Sequence, residues 1–154
     1  MKEVDMSKFC VFILAHGRPN ITDTYDHLLG GGYTGKIIFL VDNEDDKVNG
    51  YYEKYGNENV YMFDKIVAAK ECDPMNNFGG RRATLFARNK AFDVAKTLGY
   101  DYFLVLDDDY YYFGHRGEYG AKKLQNLIWC SNTLLNFLQT HQQRQLALVR
   151  VETI

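Results

Sequence analysis

The sequence is poor in cysteine, which limits both its redox chemistry and its metal chemistry. Cys10, Cys72 and Cys130 are the three cysteines among 154 residues, an odd number at wide spacing. This pattern excludes a disulfide framework and a metal site of the CxxC kind. We therefore expect three ordinary thiols that are buried or half-buried.

Long apolar runs and an excess of charge of one sign are also absent from the sequence. The longest apolar stretch, Phe9 to Ala15, is too short to cross a bilayer, and the amino terminus lacks the pattern of a secretory signal. A net charge of −2 gives no chain-wide basic surface for nucleic acid, although a local basic patch is still allowed. We expect a cytoplasmic protein without membrane contact.

The sequence also lacks the signatures of several enzyme classes. It contains no GxSxG, HExxH or GxxxxGK[ST] pattern, so serine hydrolase, zinc protease and P-loop chemistry are not indicated. His27, His115 and His141 have no cysteine or histidine neighbours at zinc spacing. With 46% hydrophobic and 25% charged residues, the chain has the composition of a soluble globular protein, and we expect one domain over residues 1–154.

Apolar runs alternate with helical patterns along most of the chain. We predict strands at residues 9–15, 36–41, 60–63, 102–106 and 146–151, and helices at residues 22–29, 46–55, 81–98 and 124–142. Residues 73–80 are predicted to be a loop, and residues 114–123 a loop or hairpin. Alternating strands and helices predict an α/β fold whose mostly parallel sheet is flanked by helices.

Two local features support the helix assignments. Asn20 is the predicted cap of the first helix, which Gly30 to Gly32 should end. In the helix predicted at residues 81–98, an apolar stripe is expected to face the core. Its members are Ala87, Ala91, Val94, Ala95 and Leu98.

Three consecutive aspartates, Asp107, Asp108 and Asp109, follow the apolar strand at residues 102–106. Adjacent carboxylates are costly unless a cation shares the site. Magnesium and manganese prefer one or two carboxylates together with phosphate oxygens, and the alternate positions Asp107 and Asp109 fit this preference. The alternative is an acidic turn that is solvated or caps a helix, and the buried strand before the aspartates favours the metal and phosphate site.

Other polar residues follow predicted strand ends. Asp42 is placed to contact the hydroxyls or base of a nucleotide, or else it is one solvated acid in the run of residues 42–46. His16 and Arg18 follow the first strand, either as nucleotide contacts or as a polar turn. Three tyrosines at residues 110–112 are interpreted as part of a strand rather than as a stacking surface.

Three arginines lie at the start of the helix predicted at residues 81–98 or within it. Arg81, Arg82 and Arg88 can pair with a diphosphate or with the aspartates, and one of the first two is interpreted as surface charge.

Several of these stretches resemble the GT-A nucleotide-sugar glycosyltransferases. Ala87-Arg88-Asn89 is similar to their ARN helix, and the strand that ends at Asp107-Asp108-Asp109 is similar to their DxD strand. The residues from Val11 to Pro19, with Tyr33 to Lys36 and Val41 to Asp45, more narrowly resemble the phage TET-associated glycosyltransferases. The resemblance covers about residues 9–113.

The resemblance implies a Rossmann-like GT-A fold and a metal-dependent transfer of sugar from a nucleotide sugar, above all a UDP-sugar, to a hydroxyl group. The implied acceptor is a hydroxymethylated pyrimidine in phage DNA, which would be modified in the host cytoplasm. The implied donor-binding residues are Ala15, His16, Arg18, Asp42, Arg88, Asp107 and Asp108. Asp107 would contact ribose, Asp42 the nucleoside, and Asp109 with Asp107 a manganese or magnesium ion.

One part of a GT-A enzyme has little counterpart in this sequence. The acceptor-binding half, which follows the DxD strand and can carry the catalytic base, is largely missing, so the resemblance implies the donor-binding half of a longer enzyme and no catalytic base. The alternatives are a nucleotidyltransferase-like metal enzyme and a non-catalytic module that binds nucleotide sugars.

Overall fold

The computed structural model describes residues 5–71, 84–117, 120–123 and 126–140. Its main elements in chain order are β1 (Phe9–Leu14), α1 (Asp23–Gly30), β2 (Lys36–Asp42), α2 (Val48–Tyr55), β3 (Val60–Phe63), α3 (Lys65–Glu71), α4 (Thr84–Leu98), β4 (Tyr102–Asp107), β5 (Gly114–Gly117), β6 (Gly120–Lys123) and α5 (Leu127–Thr140). The predicted α/β class is confirmed.

Four strands form one parallel sheet in the order β3-β2-β1-β4. In the centre of this sheet, β1 pairs with β2 on one side and β4 on the other, so that Leu14 lies opposite both Leu40 and Asp107. The chain moves outward from β1 to β3 and then returns across the sheet to β4. The strand order therefore changes direction between β1 and β4, which is where sheets of this kind form a crevice at their carboxyl edge.

Alternate side chains of β1 supply two hydrophobic cores on opposite faces of the sheet. Val11 and Ile13 pack with residues of α1, α2 and α5, whereas Phe12 and Leu14 pack with residues of α3 and α4. Right-handed crossovers that run in opposite directions across a sheet place their helices on opposite faces, which accounts for the two layers. Because both faces are covered, every residue of β1 is buried.

The core-facing stripe of α4 is confirmed only in part. Ala91, Val94 and Ala95 are buried, and Phe86 joins them in the same core. Leu98 is 43% exposed, so its predicted core position is wrong. It is the last residue of α4 and lies next to Gly99, where the chain turns with a φ of 80°, so the packed part of the stripe ends at Ala95.

Some predicted boundaries also need correction. The first helix begins at Asp23 with Thr22 as its cap, and Asn20 is an exposed residue before it. The Thr22 hydroxyl is bonded to the buried hydroxyl of Tyr55 and makes no capping bond. The short helix α3 was not predicted, whereas the predicted hairpin is confirmed as the antiparallel pair of β5 and β6.

The tyrosines at residues 110–112 form a loop, so their interpretation as a strand is wrong. The backbone N–H of Tyr110 donates to Thr24 Oγ1 at 2.8 Å, which takes the place of a bond to a neighbouring strand. Tyr111 in this loop is 64% exposed.

Several predictions lie outside the described residues. These are the loop at residues 73–80, Arg81, Arg82 and the strand at residues 146–151. Cys10 is a buried thiol as expected. Among the helices that the structure describes, none has the length and apolar character needed to cross a membrane.

Candidate functional site

A cleft of about 710 Å³ opens where the four parallel strands end, a volume typical of small-molecule sites. Its lining comprises Leu14, Ala15, His16, Arg18, Leu40, Asp42, Phe63, Lys65, Thr84, Phe86, Ala87, Asp107, Asp108 and Asp109. The fold therefore brings together the predicted residues from the ends of β1, β2 and β4. Arg88, the remaining predicted residue, is joined to the cleft through its contact with Asp107.

A sharp turn after β1 places two side chains at the cleft. Gly17 has a φ of 72°, a conformation that glycine adopts without strain. The buried carboxylate of Asp45 accepts the Gly17 N–H at 2.7 Å and the Lys47 N–H at 2.8 Å. Asp45 thereby ties the loop after β2 to the loop after β1, and His16 and Arg18 lie on either side of the fixed glycine.

Asp42 organises the end of the cleft nearest β2 and β3. Its buried carboxylate lies 2.9 Å from His16 Nδ1, and it accepts a hydrogen bond from Lys65 Nζ at 3.2 Å and one from the Glu44 N–H at 3.1 Å. The alternative of solvated acids is thus wrong for Asp42 and Asp45, which are 7% and 4% exposed. Sequence reasoning missed Lys65, although its position after β3 was an available signal.

Asp107 is paired with the arginine of the predicted ARN motif. Arg88 Nη2 donates to both carboxylate oxygens of Asp107 at 2.8 Å, and the Tyr110 hydroxyl donates to Asp107 Oδ2 at 3.1 Å. The sequence allowed Arg88 to pair with a diphosphate or with the aspartates, and in this structure it pairs with an aspartate. Burial raises the pKa of Tyr110, and the negative charge of Asp107 and the hydrogen bond to it add to this rise, whereas Arg88 opposes it.

Asp108 and Asp109 differ sharply although they are neighbours. The Asp108 carboxylate is buried and accepts a hydrogen bond from Arg18 Nη2 at 2.6 Å, while its other oxygen, Oδ2, has no partner within the described residues. Burial raises the pKa of Asp108, and Arg18 opposes that shift. Asp109 is exposed and makes no hydrogen bond or ion pair to the part of the chain that the structure describes.

Thr24 fixes the aspartate turn against α1, a role that the sequence did not indicate. Its N–H donates to the Asp108 carbonyl at 3.2 Å and its hydroxyl donates to the Asp107 carbonyl at 2.5 Å. Because Thr24 is fully buried, these bonds hold the backbone of the turn in place.

The side chains of the cleft suit a cation that is also held by a ligand. Across residues 5–71, 84–117, 120–123 and 126–140, no group of three or more histidine, cysteine, aspartate or glutamate side chains is arranged to hold a metal. Magnesium, however, is commonly held by one or two carboxylates together with substrate phosphates. The exposed carboxylate of Asp109, which has no partner in the described part of the chain, fits such a shared site, whereas the unpartnered oxygen of Asp108 is buried.

Comparison with known proteins shows the family to which the chain belongs. The sequence matches the family of TET-associated glycosyltransferases over residues 9–150. The chain belongs to this family. It is therefore a glycosyltransferase, and its resemblance to TET-associated enzymes is confirmed. No curated protein and no solved structure matches the sequence.

The cleft of this TET-associated glycosyltransferase lies where a ligand of the reaction can be expected to bind. An enzyme of this class takes a sugar from a donor and transfers it to an acceptor, and the cleft lies at the reversal of winding between β1 and β4, where α/β sheets bind ligands.

Proposed function

We propose that this TET-associated glycosyltransferase is metal-dependent and binds a nucleotide sugar, above all a UDP-sugar, along the cleft. The observation that carries the proposal is the contrast between the two ends of the cleft. One end holds three adjacent aspartates facing two arginines, whereas the other holds a single buried carboxylate already bonded to His16 and Lys65.

The diphosphate belongs at the aspartate end. Breaking a glycosyl–phosphate bond leaves negative charge on the departing diphosphate, and a divalent cation supplies Lewis-acid stabilisation of that charge. Asp109 and Asp107 would hold manganese or magnesium there. Arg18 and Arg88 are within the same cluster and can donate to phosphate oxygens.

The nucleoside belongs at the Asp42 end. There the paired charges of Asp42 and Lys65 cancel, which suits an uncharged base and sugar better than a phosphate. Ala15 and His16 line the same part of the cleft and would lie beside the base. Asp107, the first of the three aspartates, would contact the ribose, while Asp108 supports the diphosphate end through Arg18.

The proposed acceptor is the hydroxyl group of a hydroxymethylated pyrimidine in DNA. This part of the proposal is supported by family membership over residues 9–150. It would place the reaction in the cytoplasm, where phage DNA is accessible. The proposal assigns no residue to deprotonation of the acceptor.

Donor binding is tested by calorimetry with Mn²⁺ and a panel of UDP-, GDP- and CDP-sugars. We expect Mn²⁺-dependent binding of a UDP-sugar, and Asp109→Asn should weaken it about tenfold or more because a cation ligand is lost. The matched control is Asp101→Asn, which removes an exposed carboxylate just before β4, at the opposite edge of the sheet, and should bind like the wild type. Binding to no donor, or equal binding by Asp109→Asn, would contradict the proposal.

Acceptor use is tested with two DNA duplexes of the same sequence, one carrying 5-hydroxymethylcytosine and one unmodified. We expect transfer of labelled sugar only to the hydroxymethylated duplex. Donor binding without transfer to that duplex would count against DNA as acceptor, and use of UTP instead of a UDP-sugar would favour a nucleotidyltransferase.

A further inference from the structure

The two arginine–aspartate pairs in the cleft differ in burial. The Asp108 side chain is only 6% exposed, so loss of Arg18 would leave a buried charge without compensation. In the second pair, the Asp107 side chain is 30% exposed and that of Arg88 is 41% exposed. Water can solvate both partners when this pair separates, so opening it costs little. The Arg88–Asp107 pair is therefore the exchangeable one.

In the free enzyme, Asp107 is bonded to side chains that would compete with the donor and its cation for this carboxylate. Arg88 Nη2 bonds to both carboxylate oxygens, and the Tyr110 hydroxyl adds a third bond. The proposed function assigns the same carboxylate to the donor and its cation. Arg88 must then give up at least part of its hold on Asp107 when the cleft is filled.

We propose that Arg88 is an exchange residue, which pairs with Asp107 in the free enzyme and with the donor diphosphate in the loaded enzyme. This inference rests on the proposed function and predicts that binding of the cation and binding of the diphosphate are thermodynamically coupled. A cation that arrives alone displaces Arg88 and leaves it without an anionic partner. A diphosphate that arrives alone finds Arg88 still paired with Asp107. When both ligands arrive, Asp107 pairs with the cation and Arg88 with the diphosphate, so each ligand strengthens the binding of the other by the same factor.

Four calorimetric titrations measure this coupling with Mn²⁺ and UDP as probes. Mn²⁺ is titrated into the free protein and into protein saturated with UDP, and UDP is titrated with EDTA present and with saturating Mn²⁺. For the wild type we expect each ligand to tighten the other by about tenfold or more.

Arg88→Met separates exchange from a merely structural role. Without the competing guanidinium, Mn²⁺ alone should bind the variant several-fold more tightly than it binds the wild type. UDP at saturating Mn²⁺ should bind more weakly, because its arginine partner is gone, and the coupling factor should fall. A structural role for Arg88 would instead weaken both ligands. Should Arg88→Met fail to fold, Arg88→Lys should show the same opposed changes with smaller size.

The matched control is Lys90→Met, which removes the same charge from the same helix. Lys90 pairs with Glu71 and Asp93 in a separate groove between α3 and α4. We expect its Mn²⁺ and UDP affinities to equal those of the wild type.

Two outcomes would overturn the exchange. The first is that the wild type binds UDP together with Mn²⁺, but Arg88→Met binds Mn²⁺ alone no more tightly than the wild type does. The other is a crystal structure with UDP and Mn²⁺ in which Arg88 keeps both bonds to Asp107 and touches no phosphate. Failure of the wild type to bind UDP with any divalent cation would instead contradict the proposed function itself.

Discussion

The buried carboxylate of Asp108 depends on Arg18, so Arg18→Met should lower the free energy of unfolding. Arg18 Nη2 lies 2.6 Å from Asp108 Oδ1, and the second carboxylate oxygen has no partner within the described residues. Removing a single partner from a buried ion pair costs about 3–5 kcal/mol. The Arg18 side chain is 48% exposed, so water will partly replace it, and we expect a loss of about 2 kcal/mol.

A double-mutant cycle with Asp108→Asn tests whether the unpaired charge of Asp108 causes this loss of stability. The amide carries no charge, so Arg18→Met made in the Asp108→Asn background should cost no more than about 0.5 kcal/mol. The assay is urea unfolding followed by circular dichroism, in the presence of EDTA. Arg88→Met is the control, because its pair with Asp107 is solvent-exposed and should contribute at most about 1 kcal/mol. Equal losses for Arg18→Met in both backgrounds would refute the reasoning.

The loss of stability in Arg18→Met should depend on pH. Burial raises the pKa of Asp108 and Arg18 opposes that rise, so loss of Arg18 should raise the pKa further. A carboxyl with a raised pKa in the folded state destabilises the fold when ionised, and the penalty disappears as the pH falls through that pKa. The stability difference between wild type and Arg18→Met should therefore shrink as the pH falls from about 8 to about 5. A difference that stays constant over this range would contradict a role for the Asp108 charge.

Two further predictions concern buried groups outside the aspartate turn. Asp45→Ala should cost about 2 kcal/mol in thermal or urea unfolding, because the N–H groups of Gly17 and Lys47 lose their acceptor. The exposed neighbour Asp46, changed to Ala, should stay within about 0.5 kcal/mol of the wild type, and equal losses would show that Asp45 does not tie the loops. Burial raises the pKa of Cys10 to about 12, so its thiol should resist iodoacetamide in the native protein at about pH 8 and react after denaturation, as followed by peptide mass mapping. Rapid native labelling of Cys10 would contradict its buried position.

The convergence of polar residues on one cleft could be predicted from the sequence, because a single rule sufficed. Parallel strands end at the same edge of a sheet, so polar residues after apolar runs were expected to converge there. His16, Asp42 and the aspartates at residues 107–109 do line one cleft. This prediction did not require knowledge of which strands pair with each other, because the common direction of the strands alone brings these positions to one edge.

Contacts between distant side chains could not be predicted in the same way. Lys65 bonds to Asp42 from 23 residues away, and Arg18 bonds to Asp108 from 90 residues away. Such pairs depend on which loops face each other and on side-chain lengths, neither of which leaves a periodic signal. The loop at residues 110–112 was mistaken for a strand because its tyrosines favour strands, whereas the Thr24 hydroxyl provides the decisive hydrogen bond.

The three aspartates illustrate how position in a turn can give identical residues different chemistry. Asp107 ends β4 with a half-exposed, arginine-paired carboxylate, Asp108 turns into the protein, and Asp109 turns outward to solvent without a partner in the described chain. Within the described residues, Asp109 makes no contact that a cation would have to displace. Because Asp108 and Asp107 are paired with Arg18 and Arg88, a cation that binds beside Asp109 needs further anionic ligands. In the proposed function the donor diphosphate supplies them, so the proposal requires a cation shared with the donor and no preformed metal centre.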